Sequence, residues 1–396
     1  MYTKAFIPYK GYYSTPFCKW QGSLANKNAI MLSAKVSKNW FAQKDVDVNI
    51  LDYLIFGNTV GQHHQFYSSP WAAALLGADM LPSISISQAC TTGASCINQA
   101  AMGIESGKYQ TPYVLTTDRT SNGPHTIWPN PQGPGGEVIS ENWNMDNFNS
   151  DPNTGKKMVE TAENVAKENG FTKEECDELV LRRYEQYLMA LENDRQFQKR
   201  YMLPVEVKVS RKKTILVEKD EGIMASTRKG LAALKPLIPG GVLSFGTQTH
   251  PADGHAGVMV TTAEKARQLS ADDKITIQVI SYGYSREKKG YMPAAPVPAT
   301  RMALEKAGLA IKDINVIKTH NPFIVNDLFF AKEMGIDPKG MNNYGSSLIF
   351  GHPQGPTATR LIIEGIEETV MAGGGYFLWT GCAAGDCGAA LILKIS

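Results

Sequence analysis

The chain has 396 residues, of which 43% are hydrophobic, and its 40 basic and 38 acidic side chains leave a net charge of +2. A chain of this length can bury a large core in two or three lobes. Its lysines and arginines are scattered, which argues against nucleic acid as the main partner. No apolar run is long enough to span a bilayer, so we expect a cytoplasmic protein with no membrane partner.

The first elements in chain order form a helix and strand pair that recurs later. Residues 27–43 have the apolar spacing of an amphipathic helix, and residues 47–58 run from a polar start into an apolar strand. Residues 298–310 and 311–323 repeat this order. The repetition indicates a weak internal duplication and βαβ units with a mostly parallel sheet.

Cys90 follows a segment of alternating serine and isoleucine, PSISISQA, which predicts a strand. The residues after Cys90 have helical spacing, so Cys90 is expected at a strand-to-helix turn. Unpaired N–H groups at a helix N-terminus stabilise a thiolate and can lower a cysteine pKa. The alternative is a small buried side chain, as most free cysteines are.

A polar segment at residues 120–155, rich in Gly, Pro and Asn, separates the two similar parts. We expect it to be a long functional loop. Residues 156–194 predict two helices, the second opened by Thr172 with Glu175 as a capping box. Together these segments indicate an inserted helical subdomain that carries a loop.

Two further segments bear reactive side chains. His352 lies between Gly351 and Pro353, which present the imidazole at a defined point of a turn and suit it to activate a thiol. The C-terminal segment predicts a hairpin with Cys382 near its tip, and Cys387 competes with Cys382 for any acid/base role. An ordinary surface histidine and a tightly packed hairpin are the alternatives.

No metal site is expected. None of the six cysteines forms a CxxC pair, and His63 and His64 are adjacent, so both rings cannot easily face one ion. His250, Asp253 and His255 lie in a glycine-rich segment without a further ligand cluster.

Taken together and in this order, the Cys90 turn, the GHPQG segment and the C-x-x-G-x-x-G-x-A hairpin resemble the thiolases. STPFCKWQGSLA, TAENVA and GGVLSFGTQTHPADGHAGVM extend the resemblance over most of the chain. It implies a five-layered αβαβα fold built from two duplicated βαβαβαββ halves with an inserted loop domain. The expected boundaries are 1–119 with 252–272 for the first half, 120–251 for the insertion and 273–396 for the second half.

The resemblance also implies roles for individual residues. Cys90 would take the acyl group as a thioester, and His352 would activate it and bind the thioester oxygen of the substrate. Cys382 would be the acid/base that handles the second proton. The backbone N–H groups of Cys90 and Ala384 would hold an oxyanion, and Gly246, Thr249, Phe323 and Phe350 would contact CoA or the acyl group.

Three positions depart from the family pattern. His320 stands where many thiolases have an asparagine that holds a water, and it can supply a donor itself. Asn321 replaces an acidic residue and removes a charge that could orient the imidazoles, and Met224 replaces an arginine on the CoA side. CoA, expected as a co-substrate with no permanently bound cofactor, would then be held differently or partly by another polypeptide.

Aromatic side chains near these motifs suggest a bulky, aromatic or branched acyl group. They are Phe350, Trp379, Trp128, Trp143 and Phe148. In this respect the chain resembles thiolases of aromatic compound degradation, which cleave 2-benzoylsuccinyl-CoA to benzoyl-CoA and succinyl-CoA with a small zinc-binding, OB-like partner subunit. A homodimer core is expected. A Claisen-condensing synthase of the same fold and a non-catalytic acyl-CoA carrier or complex subunit are the alternatives.

Overall fold

The computed structural model describes residues 1–396, which form fourteen strands and twelve α-helices. The strands are Tyr12–Ser14 (β1), Cys18–Lys19 (β2), Tyr53–Gly57 (β3), Ser83–Ile86 (β4), Pro112–Arg119 (β5), His125–Pro129 (β6), Val138–Asn142 (β7), Val205–Lys208 (β8), Thr214–Val217 (β9), Ala252–Met259 (β10), Ile277–Arg286 (β11), Ile314–His320 (β12), Gly375–Ala383 (β13) and Cys387–Ile395 (β14). The helices are Ala29–Gln43 (α1), Ser68–Leu76 (α2), Thr92–Glu105 (α3), Met145–Asn149 (α4), Met158–Asn169 (α5), Lys173–Arg195 (α6), Arg228–Ala233 (α7), Ala263–Leu269 (α8), Pro296–Ala307 (α9), Ile324–Met334 (α10), Ser347–Phe350 (α11) and Gln354–Met371 (α12).

Two mixed sheets share one strand order, which confirms the predicted duplication. The first sheet runs β1-β10-β5-β3-β4, with β5, β3 and β4 parallel and β10 antiparallel to both of its neighbours on this path. The second sheet runs β11-β14-β13-β12, with β12 and β13 parallel and β14 antiparallel to both neighbours. The second sheet has no counterpart of β4, so the two halves are similar but unequal.

The helices form three layers around these sheets, as expected for the five-layered arrangement. Helices α1 and α2 pack on the outer face of the first sheet, and α9 covers the outer face of the second. Helices α3 and α12 contact each other and strands of both sheets, so they form the middle layer. Cys90 precedes α3 and His352 precedes α12, so the two central helices bring both side chains to the same part of the molecule.

The inserted segment is more ordered than its composition predicts. In place of one long loop, β6 and β7 form an antiparallel hairpin, whose connection at residues 130–137 contains a helical turn at Pro134–Gly136, and α4 follows. The predicted capping box is confirmed: the Glu175 N–H donates to Thr172 Oγ1 at 3.1 Å and the Thr172 N–H donates to Glu175 Oε2 at 2.8 Å. None of the helices is both long enough and apolar enough to cross a membrane.

Buried neutral histidines make the fold sensitive to acid, and His255 on β10 offers the clearest test. Burial lowers the pKa of His255 to about 3 from an ordinary value of 6.5, and its Nε2 has no hydrogen-bond partner. Below pH 6.5 the unfolded chain therefore binds a proton that the folded chain does not, and stability falls as the pH falls. Between pH 7.5 and pH 5 this one group should remove about 2 kcal/mol of unfolding free energy.

At neutral pH, we expect the free energy of unfolding of His255→Phe to be equal to or lower than that of the parent chain. Between pH 7.5 and pH 5, the free energy of unfolding of the variant should fall by about 2 kcal/mol less than that of the parent chain. Urea unfolding at both pH values measures the difference. Equal losses in the two proteins would show that His255 does not carry this sensitivity.

Candidate active site

Cys90 lies in the turn between β4 and α3, as predicted. The turn is closed by the Thr92 side chain, whose hydroxyl donates to Ala89 O at 2.7 Å and accepts from Gln88 N–H at 2.8 Å. Ala89 has a φ of 45°, which is uncommon for a residue with a Cβ and costs of the order of 1–3 kcal/mol. The bonds to Thr92 hold this strained turn in place.

His352 faces Cys90 with its unprotonated nitrogen. The distance from His352 Nε2 to Cys90 Sγ is 3.1 Å, and His352 Nδ1 lies 2.7 Å from Thr357 Oγ1. The Thr357 hydroxyl donates its single proton to Pro353 O at 2.6 Å, so it must accept from His352 Nδ1–H. This assigns the proton to Nδ1 and leaves Nε2 free to accept the Cys90 proton.

The resting pair is neutral, which corrects the expectation of a stabilised thiolate. Burial raises the pKa of the Cys90 thiol to about 12, although the backbone N–H groups of Ala384 and of Cys90 itself act to lower it. Burial also lowers the pKa of His352 to about 3. The helix end does favour the anion, but loss of hydration at this half-buried thiol is the larger effect. These two shifts favour a neutral thiol and a neutral imidazole before substrate binds.

Cys382 is fully buried on β13, and Asn326 Nδ2 lies 3.1 Å from its Sγ. Burial and the neighbouring Cys90 raise the pKa of Cys382 well above its ordinary value, while the Asn326 hydrogen bond lowers it. The influence of Cys90 reflects the proximity of the two thiols. Cys387 lies across the hairpin tip on β14, half-buried, with its Sγ 3.3 Å from Gly385 O.

His320 at the end of β12 completes the group. Its ring centroid lies 4.0 Å from that of His352, and its Nδ1 is 2.8 Å from Ser347 Oγ. Ser347 Oγ accepts from the Asn321 N–H at 3.3 Å, and its own proton lies between two candidate acceptors, Asn321 Oδ1 at 3.2 Å and the nearer His320 Nδ1. This favours the tautomer with the proton on Nε2, which is buried and has no partner in the protein. In this tautomer His320 presents a free donor, which is the role that an oxyanion pocket requires.

Asn321 is held by Asp327, a carboxylate that our sequence analysis did not select. Its Nδ2 donates to Asp327 Oδ2 at 2.7 Å, and its Oδ1 accepts from the Leu348 N–H at 3.1 Å. Asp327 in turn pairs with Arg183 of the insertion at 2.8 Å, both side chains being fully buried. The charge missing at position 321 is thus supplied at Asp327, one side chain further from the imidazoles.

Four residues are predicted to contact CoA or the acyl group, and the structure contradicts the prediction for one of them, Phe350. The Thr249 hydroxyl donates to Ser347 O at 2.5 Å, and Gly246 packs so closely that a Cβ there would lie 2.5 Å from Leu231. The prediction that Phe350 contacts CoA or the acyl group is wrong. Phe350 is fully buried, its ring packs in a T-shaped arrangement with Phe17, and the Arg360 guanidinium lies 3.7 Å from its ring centre. Phe350 is therefore a core residue and cannot contact a substrate. Phe323 is 6% exposed.

Cys90, His320 and His352 could in principle hold a metal ion, because one ligand atom from each of them lies within 4.8 Å of the others. The two imidazole planes are only 33° apart and overlap at 4.0 Å. The Nδ1 atoms of the two rings are engaged by Ser347 and Thr357, and the His352 Nε2 already contacts Cys90. The geometry suits acid/base chemistry better than the tetrahedral coordination of zinc.

The structure thus brings together Cys90, His352, Cys382 and His320, which come from four separate segments of the chain. Sequence reasoning missed Asn326, Asp327 and Thr357. An Asn-Asp pair inside the apolar segment IVNDLFF is a detectable signal, since buried polar groups need partners. Thr357 carries no comparable signal.

Comparison with known proteins agrees with this site. The family models "Thiolase, N-terminal domain" and "Thiolase, C-terminal domain" match residues 11–264 and 273–395. The acetyl-CoA acetyltransferase of Escherichia coli (strain K12) is 28% identical over 389 residues, which are 96% of each chain. The crystal structure of the Bacillus anthracis acetyl-CoA acetyltransferase matches with a TM-score of 0.92 at 25% identity, over 100% of this chain and 99% of that one.

The crystal structure of human mitochondrial 3-ketoacyl-CoA thiolase in complex with CoA shares the fold, with a TM-score of 0.89 at 24% identity over 99% of this chain and 98% of that one. The two family models cover most of the chain, and the fold matches over its whole length, so the sequence and the structure point to the same family. The chain therefore belongs to the thiolase family of acyltransferases, enzymes of thiolase-type 3-oxoacyl-CoA cleavage and condensation that use CoA as a co-substrate.

Proposed function

We propose that this thiolase cleaves a 3-oxoacyl-CoA with free CoA through an S-acyl-Cys90 intermediate. The observation that supports this most is the 3.1 Å contact between Cys90 Sγ and the unprotonated Nε2 of His352. A nucleophile beside an oriented base is the arrangement that covalent acyl transfer requires. Two neutral groups suit a reaction in which the proton moves as the sulfur attacks.

In the first half-reaction, Cys90 Sγ attacks the ketone carbon and its proton passes to His352 Nε2. The backbone N–H groups of Cys90 and Ala384 stabilise the oxyanion. The bond between the α and β carbons then breaks, leaving the acyl group on Cys90 and an acyl-CoA enolate. Cys382 protonates the α carbon and becomes a thiolate, while His320 Nε2–H stabilises the enolate oxygen.

In the second half-reaction, the Cys382 thiolate takes the proton of the incoming CoA thiol. The CoA sulfur attacks the thioester carbon, and the same backbone N–H groups hold the second oxyanion. The Cys90 thiolate is the leaving group, and it recovers its proton from His352. Cys90, His352 and Cys382 thus return to their starting protonation states, and the enzyme is ready for another cycle.

The reverse sequence is a Claisen condensation, so a synthase of the same fold uses the same residues in the opposite order. The pathway and the concentrations of acyl-CoA and CoA set the direction. A non-catalytic acyl-CoA carrier is less well supported, because a carrier needs neither the Cys90 and His352 contact nor the strained turn at Ala89.

A bulky acyl group, as in 2-benzoylsuccinyl-CoA, has less support than the chemistry. Phe350 and Trp379, two of the aromatic residues that suggested it, are fully buried in the core. Support remains in the insertion, where Trp128 is 47% and Trp143 40% exposed. The E. coli relative is named for acetyl-CoA, which makes a short acyl group the competing outcome.

A homodimer is the proposed assembly. Strand β4 is a sheet edge, and Phe66, Tyr67, Met80 and Ile84 nearby or on it are exposed apolar side chains, with Phe66 94% and Met80 93% exposed. An uncovered edge of this kind favours pairing with another chain. Sedimentation velocity of the purified chain, alone and with a candidate zinc-binding partner, measures both the proposed dimer and the proposed second subunit.

The first experiment is intact-mass analysis after incubation with short, branched and aromatic acyl-CoAs. We expect a mass gain equal to one acyl group, and no gain in Cys90→Ala. The size of the gain identifies the preferred acyl group. If no acyl-CoA in the panel modifies the chain, with or without its partner, the proposal is wrong and a carrier role gains support.

A further inference from the structure

Asn326 is placed to control the second thiol of the site, a contact that the mechanism above leaves unused. It is the third residue of α10 and is 2% exposed. Its Oδ1 accepts from the Phe323 N–H at 3.3 Å, and its Nδ2 lies 3.1 Å from Cys382 Sγ. Because the backbone N–H of Phe323 can only donate, the carbonyl oxygen must face Phe323 and the NH₂ group must face the sulfur.

This orientation makes Cys382 a hydrogen-bond acceptor. A donor directed at the sulfur stabilises the thiolate more than the neutral thiol, since hydrogen bonds to charged groups are stronger. The fully buried surroundings of Cys382, the neighbouring Cys90 and the Asp327 carboxylate act in the opposite direction, while the Cys382 backbone N–H acts with Asn326. The Asn326 amide is thus the side chain that offsets the cost of charge on a sulfur without access to water.

The amide is also held in place. Its neighbour Asp327 binds Arg183 at 2.8 Å and accepts from Asn321 at 2.7 Å and from Asn342 at 3.3 Å. These contacts fix the first turn of α10 relative to β12 and to the inserted helix α6. The backbone of Asn326 is thus held in place, and turning its amide away from the sulfur would break the bond from the Phe323 N–H.

We propose that Asn326 is a positioning residue that keeps Cys382 facing the reacting carbon and favours its thiolate form during each proton transfer. The proposal rests on the acid/base role given to Cys382 above. In the direction of cleavage, the proton leaves Sγ for the α carbon and is replaced from the CoA thiol. Asn326 remains a donor throughout and exchanges no proton.

The test follows the alkylation rate of Cys382 by iodoacetamide as a function of pH, measured on the Cys382 peptide by mass spectrometry in a Cys90→Ser background. Replacing Asn326 by leucine keeps the shape and removes the donor. We expect the pH at which Cys382 becomes reactive to rise by about one to two units, a roughly ten- to hundred-fold loss of thiolate at a given pH. Asn326→Asp should raise it further, because a carboxylate opposes a second negative charge.

The rate at which the α-protons of acetyl-CoA and succinyl-CoA exchange with D₂O gives a second readout. This rate should fall about ten- to hundred-fold in Asn326→Leu, while the acylation of Cys90 should change little. Asn343→Leu is the matched control, since Asn343 is a partly buried asparagine that bonds Glu368 at 2.8 Å and does not touch Cys382. It should leave both readouts unchanged. Asn326→Ala replaces the leucine variant if that chain does not fold.

The two proposals fail in different ways. If Cys382→Ala retains α-proton exchange, the acid/base role of Cys382 is wrong, whatever Asn326 does. If Cys382→Ala loses exchange but folded Asn326→Leu and Asn326→Ala keep the parent pH profile of Cys382, only the inference about Asn326 is overturned.

Discussion

Cys90→Ser should reduce turnover by at least roughly 10⁴-fold while leaving the fold intact, because removal of a nucleophile commonly has effects of this size. A serine hydroxyl is harder to deprotonate than a thiol, and His352 in its buried, weakly basic state cannot compensate. The acyl group would also leave oxygen less readily than sulfur. Steady-state cleavage assays with the acyl-CoA identified by mass analysis measure the loss.

Cys96→Ala is the control for this prediction. Cys96 lies on α3 six residues after Cys90 and is fully buried, but it does not contact His352. Its replacement should lower stability without removing turnover. Residual activity in Cys90→Ser within about tenfold of the parent would mean that another residue carries the acyl group.

Cys382→Ala should reduce turnover by roughly 10²- to 10⁴-fold and still permit acylation of Cys90, because general acid/base groups contribute in this range. The enolate would form without a proton donor, so exchange of the acyl-CoA α-protons with D₂O should disappear. Intact-mass analysis and proton exchange, measured on the same preparation, separate the two steps.

Cys387→Ala provides the matched comparison at the hairpin tip. Cys387 is half-buried and its thiol lies near the Gly385 carbonyl, away from the Asn326 amide. We expect its loss to leave exchange and turnover nearly unchanged. Loss of exchange in Cys387→Ala, with normal exchange in Cys382→Ala, would reverse the roles of the two cysteines.

Local sequence patterns were sufficient where structure depends on near neighbours. The helix at 27–43 and the strand after it, their repeat at 298–323, and the Thr172 cap each follow from residues a few positions apart. The same holds for the turn at Cys90, where an alternating strand meets a helical segment.

Sequence alone could not predict features that depend on distant contacts or on burial. Arg183 and Asp327 are 144 residues apart, and nothing local shows that they meet. Phe350 is adjacent to the active-site segment, but adjacency does not tell which way a side chain points. The neutral state of Cys90 follows from its burial, which outweighs the helix end that the sequence indicated.

The Arg183 and Asp327 pair also limits how the inserted domain can be exchanged. A chimaera that takes its insertion from another thiolase without an equivalent arginine would leave Asp327 buried and unpaired, which is strongly destabilising. The disturbance would reach Asn321, which directly follows His320 at the end of β12. Helix α6 of the predicted insertion and helix α10 therefore have to be transplanted, or redesigned, together.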